Sequence, residues 1–179
     1  MSGHSHWHSI KHKKGATDVK RGKIFSKISR LVSIAAREKG GDPDSNPRLR
    51  LAIDKAKEAN MPKDNIERAI KKGLGQIEGA KMEEFFYEAY GPAGTALIIE
   101  GITDNKNRAL SEIKHVLSLF DGKMAEVGSV KYLFDKKADE WIAKYPIEIN
   151  DEKIITRIEK LFDALYENDD VQEIYSNLK

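Results

Sequence analysis

The spacing of apolar residues along this chain changes character near Gly73-Leu74-Gly75. Before that point they recur every three to four positions, the spacing of one helix face; after it, strand-like alternation and helical spacing take turns. From Thr17 to Lys39, the residues Ile24, Ile28, Leu31, Val32 and Ala35 predict a long amphipathic helix, which Gly40-Gly41 stops. After GDPDSNP, a second helix is predicted from Leu49, Ile53, Ala56 and Ala59. A third begins at Pro62, whose missing amide proton suits a first turn, and Asp64 follows where the helix dipole favours an anion. Its buried side is Ile66, Ala69 and Ile70. Three short helices joined by tight turns close a small bundle.

Beyond residue 82 the pattern is mixed. EEFFYEAY at 83–90 alternates Phe85 and Tyr87 against glutamates, GPAG turns the chain, and TALIIEGI at 95–102 reads as a buried strand. Asp104 or Asn105 is placed to cap a helix that lines up Leu110, Ile113, Leu117 and Phe120 and ends at Gly122. SVKYLF at 129–134 and PIEI at 146–149 read as strands, followed by a helix through Ile158 and Leu165 and a last strand in DVQEIYS. From Thr95 the order is strand, helix, strand, strand, helix, strand. The expected fold class is therefore α+β: an N-terminal three-helix bundle followed by a ferredoxin-like (split βαβ) domain with an extra leading strand. The divisions expected are a flexible basic arm at 1–15, a basic three-helix domain at 16–75, a linker at 76–82 and an α/β domain at 83–179.

Charge follows the same division. Of the 31 Lys+Arg and 29 Asp+Glu in the 179 residues, 18 basic and 8 acidic residues fall in positions 1–75, so a balance of +10 is followed by one of −8. A basic part that meets a polyanion and a second part with another task would show this asymmetry. The candidate nucleic-acid-binding residues are Trp7, Lys11, His12, Lys13, Lys14, Lys20, Arg21, Lys23, Lys27 and Arg30. Lysine and arginine displace counterions from phosphates, and Trp7 and the histidines offer rings on which unpaired bases stack. An arm that orders on binding suits irregular RNA, and lysine-rich arms also enter DNA minor grooves, so both partners stay open on these residues alone. Tyr87 and Tyr90 read as sheet packing, and Asp104, Asn105, Asn107 and Arg108 as capping residues.

Other chemistry finds little here. A nucleophile beside a base, a pair of carboxylates in a cleft and a phosphate-cradling loop are all missing from the pattern: His115 is isolated, and GLGQIEG at 73–79 follows a helix instead of opening one. No enzyme activity, cofactor or small-molecule substrate is expected. No metal is expected either, because His4, His6 and His8 have no cysteine or second cluster to complete a shell, and a Ser2-Gly3-His4 copper or nickel motif is easily met by chance. No stretch approaches the ~20 apolar residues of a membrane span, and the absence of cysteine fits a reducing compartment, so a cytoplasmic protein is expected. A third class, a protein-interaction adaptor working through the acidic second half, would share the charge split.

GHSHWHSIKHKKGATDVKRGKIFSKISR, GGDPDSNPRLRLAIDKAKEANMPKDNIERAIKKG, YEAYGPAG, ITDNKNR, GSVKYLF and DDVQEIYSN together resemble the YebC/PmpR family, which includes the mitochondrial translational activator of cytochrome oxidase. The resemblance runs through nearly the whole chain. It implies a three-helix N-terminal domain, α/β domains behind it, and a non-enzymatic role in gene expression. The implied partner is nucleic acid, either ribosomal RNA on the ribosome in translation, the preferred reading, or promoter DNA in transcription. His6 stands where the family usually has lysine, and Ala93 where it has glycine. The family's third domain is reduced to a loop at 135–145, a connection in which Trp141 and Ile142 are expected to seal the sheet against solvent on one side.

Overall fold

The computed structural model describes residues 18–179. Two compact units divide it, one taking in the described chain up to Glu84 together with Ile102–Lys106, the other Phe85–Gly101 and Asn107–Lys179.

The first unit contains α1 (Asp18–Lys39), α2 (Pro47–Glu58) and α3 (Lys63–Gly73). Its core joins Ile28, Val32, Ala35 and Ala36 of α1 to Leu49, Ala52 and Ala56 of α2 and Ile66 and Ala69 of α3. Ile24, expected on the same stripe, is 42% exposed, because it lies a turn before the stretch of α1 that the other helices cover. Asn46 fixes the α1–α2 corner. Fully buried, it accepts from the Leu49 amide through Oδ1 (3.1 Å) as the N-cap of α2, while its Nδ2 donates to the carbonyls of Ala35 and Gly40, both at 2.8 Å. One side chain thereby satisfies an orphan amide of α2 and a carbonyl at the end of α1. α1 and α3 meet closely: the Ser33 hydroxyl donates to Ala69 O (2.8 Å), and a Cβ added at Gly73 would lie 2.2 Å from Ser33 O.

The second unit is built on a four-stranded sheet in the order β3-β1-β2-β6, from β1 (Glu83–Tyr90), β2 (Ala96–Thr103), β3 (Lys123–Met124) and β6 (Val171–Ser176). β1 pairs antiparallel with β3, and β2 with β6. Helices α4 (Lys106–Leu119) and α5 (Glu152–Glu167) cover one face, where Leu97, Ile99 and Ile174 meet Ile113, Leu117, Leu161 and Leu165. A hairpin of β4 (Phe134–Lys137) and β5 (Glu140–Ala143) lies on the other, with Phe134 and Trp141 packed against Ala96, Ile98 and Tyr175. A protein of α+β class with a helical beginning and a strand–helix–strand domain is what the sequence led us to expect.

Two expected strands do not join the sheet. Residues 129–133 form a turn and a short 3-10 helix (Lys131–Leu133) because they wrap around the buried carboxylate of Glu88, and Phe134 opens β4. That carboxylate accepts from the amides of Gly128 (2.6 Å), Val130 (2.7 Å) and Lys131 (2.6 Å). PIEI contributes an isolated parallel bridge, Ile147 to Leu178. The 135–145 connection is largely the β4–β5 hairpin, not a loop: Phe134 pairs with Ala143 and Lys137 with Glu140.

Candidate nucleic-acid interface

Four of the expected contact residues share one flank of α1. Lys20, Lys23, Lys27 and Arg30 are spaced by three, four and three residues, which at 100° per residue confines them to roughly an 80° arc. At 1.5 Å per residue the stripe is ~15 Å long, about four nucleotides of axial rise along one strand of a nucleic-acid helix at ~3.4 Å each. The arc borders the packed face of α1. Lys20 is exposed, while Lys23, Lys27 and Arg30 are partly buried along their stems, which is how long cationic chains lie over an apolar edge. Arg30 is also positioned, since its Nη1 donates to the Ile102 carbonyl at 3.2 Å.

Arg21 is not gathered with these four. One position on from Lys20, it projects ~140° from the middle of the stripe. Trp7, Lys11, His12, Lys13 and Lys14 lie outside the described residues.

Arg48 and Arg50 serve the fold of the helical unit. Arg48 bridges Glu38 (2.5 Å) and Glu84, and Arg50 donates to the carbonyls of Pro43 (3.1 Å) and Asp44 (3.0 Å). In the second unit Arg108, read as a capping residue, pairs with the buried carboxylate of Asp170 at 2.9 Å. Tyr87 stacks on Phe85 with ring centroids 4.6 Å apart, and the Tyr90 hydroxyl donates to Ser129 O (3.1 Å), so both tyrosines serve the sheet.

Arg37 belongs to the flank that helical spacing gives to Lys23, Lys27 and Arg30. Seven residues beyond Arg30 and so on the same side of α1, it donates through Nη1 to Met82 O and lines a cavity of about 280 Å³ with Lys72 and Lys81. Helical spacing places Arg37 on that flank from sequence; the approach of Lys72 and Lys81 to it was not readable, because it depends on how the chain turns after α3. Among the described residues no group of three or more His, Cys, Asp or Glu could hold a metal ion, and no helix is long and apolar enough to cross a membrane.

A basic three-helix unit and a sheet layered between two helices and a hairpin define an α+β protein of two units with a cationic helix flank. Residues 5–76 match the TACO1/YebC protein N-terminal domain, and residues 82–139 the TACO1/YebC second and third domain. The chain belongs to the TACO1/YebC family. A "Probable transcriptional regulatory protein" of Desulfosudis oleivorans is 52% identical over 179 residues, covering all of this chain and 72% of the relative. One of the same name from Persephonella marina is 40% identical over 240 aligned positions, covering all of this chain and 96% of the relative. The crystal structure of the conserved hypothetical protein Aq1575 from Aquifex aeolicus superposes with a TM-score of 0.88 at 35% identity, covering 97% of this chain and 96% of that one.

Proposed function

We propose that this protein is a cytoplasmic, non-enzymatic regulator of gene expression that binds nucleic acid through its basic N-terminal region, with structured RNA of the ribosome as the preferred partner. The observation that carries this reading is the composition of the α1 stripe. Three of its four cations are lysines, and α1 contains no asparagine or glutamine. Lysine is a point charge that tracks phosphates, whereas base edges in a DNA major groove are read by forked arginine, asparagine and glutamine side chains. Such a stripe supports sequence-tolerant contact with a backbone. The arm residues Trp7, Lys11, His12, Lys13 and Lys14 would add stacking and further phosphate contacts, and Arg21 would add another phosphate contact apart from the stripe.

The names of the relatives favour a second reading, a DNA-binding transcriptional regulator. Sedimentation with ribosomes before and after a moderate salt wash, alongside titration of promoter DNA, separates the two. Co-sedimentation that salt releases, with weak promoter binding, is expected. Sequence-selective binding to promoter DNA and no ribosome association would establish the transcriptional role instead, and failure to bind either would leave the adaptor role through the acidic second unit.

A further inference from the structure

We infer that the cavity at the end of the α1 stripe is a subsite for one unpaired nucleotide of the bound RNA, with the phosphate on Arg37, Lys72 and Lys81 and the base against Leu74, Ile77 and Met82. This inference deepens the nucleic-acid reading and rests on it.

Four features point to this occupant. The lining holds three cations, and none of the described residues lining the cavity carries a carboxylate. An anion there meets cations in the lining and no carboxylate among them. At about 280 Å³ the cavity is just below the ~300–1,000 Å³ typical of small-molecule sites, the scale of one nucleotide and too small for a duplex. Its apolar residues stand beside the cations, as a base attached to its phosphate requires. Arg37 also continues the stripe of Lys20, Lys23, Lys27 and Arg30, so a strand tracking that flank is led to the opening. Arg37 keeps donors for a phosphate after its bond to Met82 O, because a guanidinium carries five N–H groups.

Gly79 makes the inference separable from general positive charge. A Cβ there would meet Lys72 Cε at 2.7 Å, the far end of a flexible side chain, so Gly79→Leu fills the cavity and displaces the ammonium group without touching the helical core. The test compares the full chain with Gly79→Leu, with Lys72→Gln/Lys81→Gln and with the stripe variant Lys20→Gln/Lys23→Gln/Lys27→Gln. Each is titrated with a labelled stem–loop RNA carrying an unpaired loop and with a fully paired RNA duplex of matching stem sequence, after circular dichroism and thermal unfolding confirm the fold.

Both cavity variants are expected to lose roughly tenfold in affinity for the stem–loop, the scale of one stacked base, and little for the duplex. The double lysine variant is also expected to lower the salt slope on the loop by about 0.7 per lost phosphate contact. The stripe variant is expected to weaken both RNAs. Parental stem–loop binding by both cavity variants would overturn the subsite and leave the stripe standing. Equal losses on both RNAs from the lysine variant, with Gly79→Leu unaffected, would also overturn it, reducing the cavity to bulk charge. Parental binding of both RNAs by the stripe variant would instead overturn the role assigned to α1, whatever the cavity variants do.

Discussion

Glu88 accepts a hydrogen bond from the amide of Val130, 42 positions further along the chain, at 2.7 Å. Together with the bonds from Gly128 and Lys131, this makes a buried carboxylate in a strand the anchor for the segment that covers one face of the sheet.

Glu88→Gln should be costly, because a carboxamide has one accepting oxygen and turns its NH2 toward amides that are themselves donors. Loss of charge-assisted bonds at a buried site is expected to lower stability by ~2–4 kcal/mol, read as a shift in the denaturant midpoint with unchanged slope. Burial opposes ionisation of Glu88, but the three amides and the nearby Lys131 ammonium outweigh it and hold the pKa below the ordinary value of 4.5. The carboxylate therefore contributes stability that is fully present above pH 4.5 and is lost as the pH falls through its folded value. Stability measured from pH 6 down to pH 3 should fall less steeply in Glu88→Gln than in the parent.

Trp141 is 9% exposed and packs on Phe86 with centroids 5.4 Å apart, while its Nε1 donates to Glu100 Oε1 at 2.8 Å. The Lys131 and Lys136 ammonium groups stand 5.6 and 5.2 Å from its ring. It is more enclosed than a residue sealing the sheet from one side would be, so Trp141→Ala is expected to cost ~3–5 kcal/mol. Trp141→Phe keeps most of the packing, and losing its bond to Glu100 should cost about 1 kcal/mol. Chemical denaturation of both variants checks the ratio.

Asn46→Asp keeps the acceptor for the Leu49 amide but replaces two donated hydrogen bonds with repulsion from the carbonyls of Ala35 and Gly40. At a fully buried position the expected loss is ~2–4 kcal/mol. Amide hydrogen exchange should show the loss concentrated in α1 and α2.

Ala93, standing where the family usually has glycine, has a φ of +54° and so carries left-handed strain. Relief of ~1 kcal/mol in Ala93→Gly, offset by the greater freedom of glycine in the unfolded chain, should leave a net gain of about 0.5 kcal/mol. Thermal unfolding should show a small rise in midpoint.

Trp7 tests the arm. In a Trp141→Phe background its emission should be quenched by stem–loop RNA more than by duplex DNA, as stacking on an unpaired base requires. Quenching by duplex DNA alone would favour the transcriptional role.

The helices were legible because their signal is local. Ile28, Val32 and Ala35 repeat at helical spacing and are buried for that reason, and Leu49 and Ile66 follow the same rule in their own helices. SVKYLF was misread because Val130, Tyr132 and Phe134 alternate as a strand would, yet what holds the segment is a carboxylate donated by β1 from far upstream. Glu88 itself sits in an alternating run where glutamate normally marks the solvent side, and only the fold shows that both faces of β1 are covered. For the interface, helical periodicity by itself gathers Lys23, Lys27, Arg30 and Arg37 on one flank of α1, and the same arithmetic sets Arg21 apart. The cavity beyond Arg37 was out of reach, since nothing local tells Lys72 and Lys81 where the chain after α3 will turn.

The place of β6 bears on how this protein is made. β2 is buried along nearly its whole length, and one of its edges is closed by β6, the final strand in chain order, with Leu97 opposite Ser176 and Ile99 opposite Ile174. During synthesis the apolar ALIIEGIT segment emerges more than sixty residues before the partner that completes its pairing. A nascent chain in that interval presents an unpaired edge of the kind that recruits other strands, whereas the three helices ahead of it close through contacts near in sequence. Loss of the last ten residues should therefore expose β2 to aggregation and chaperone capture while the helical unit still forms.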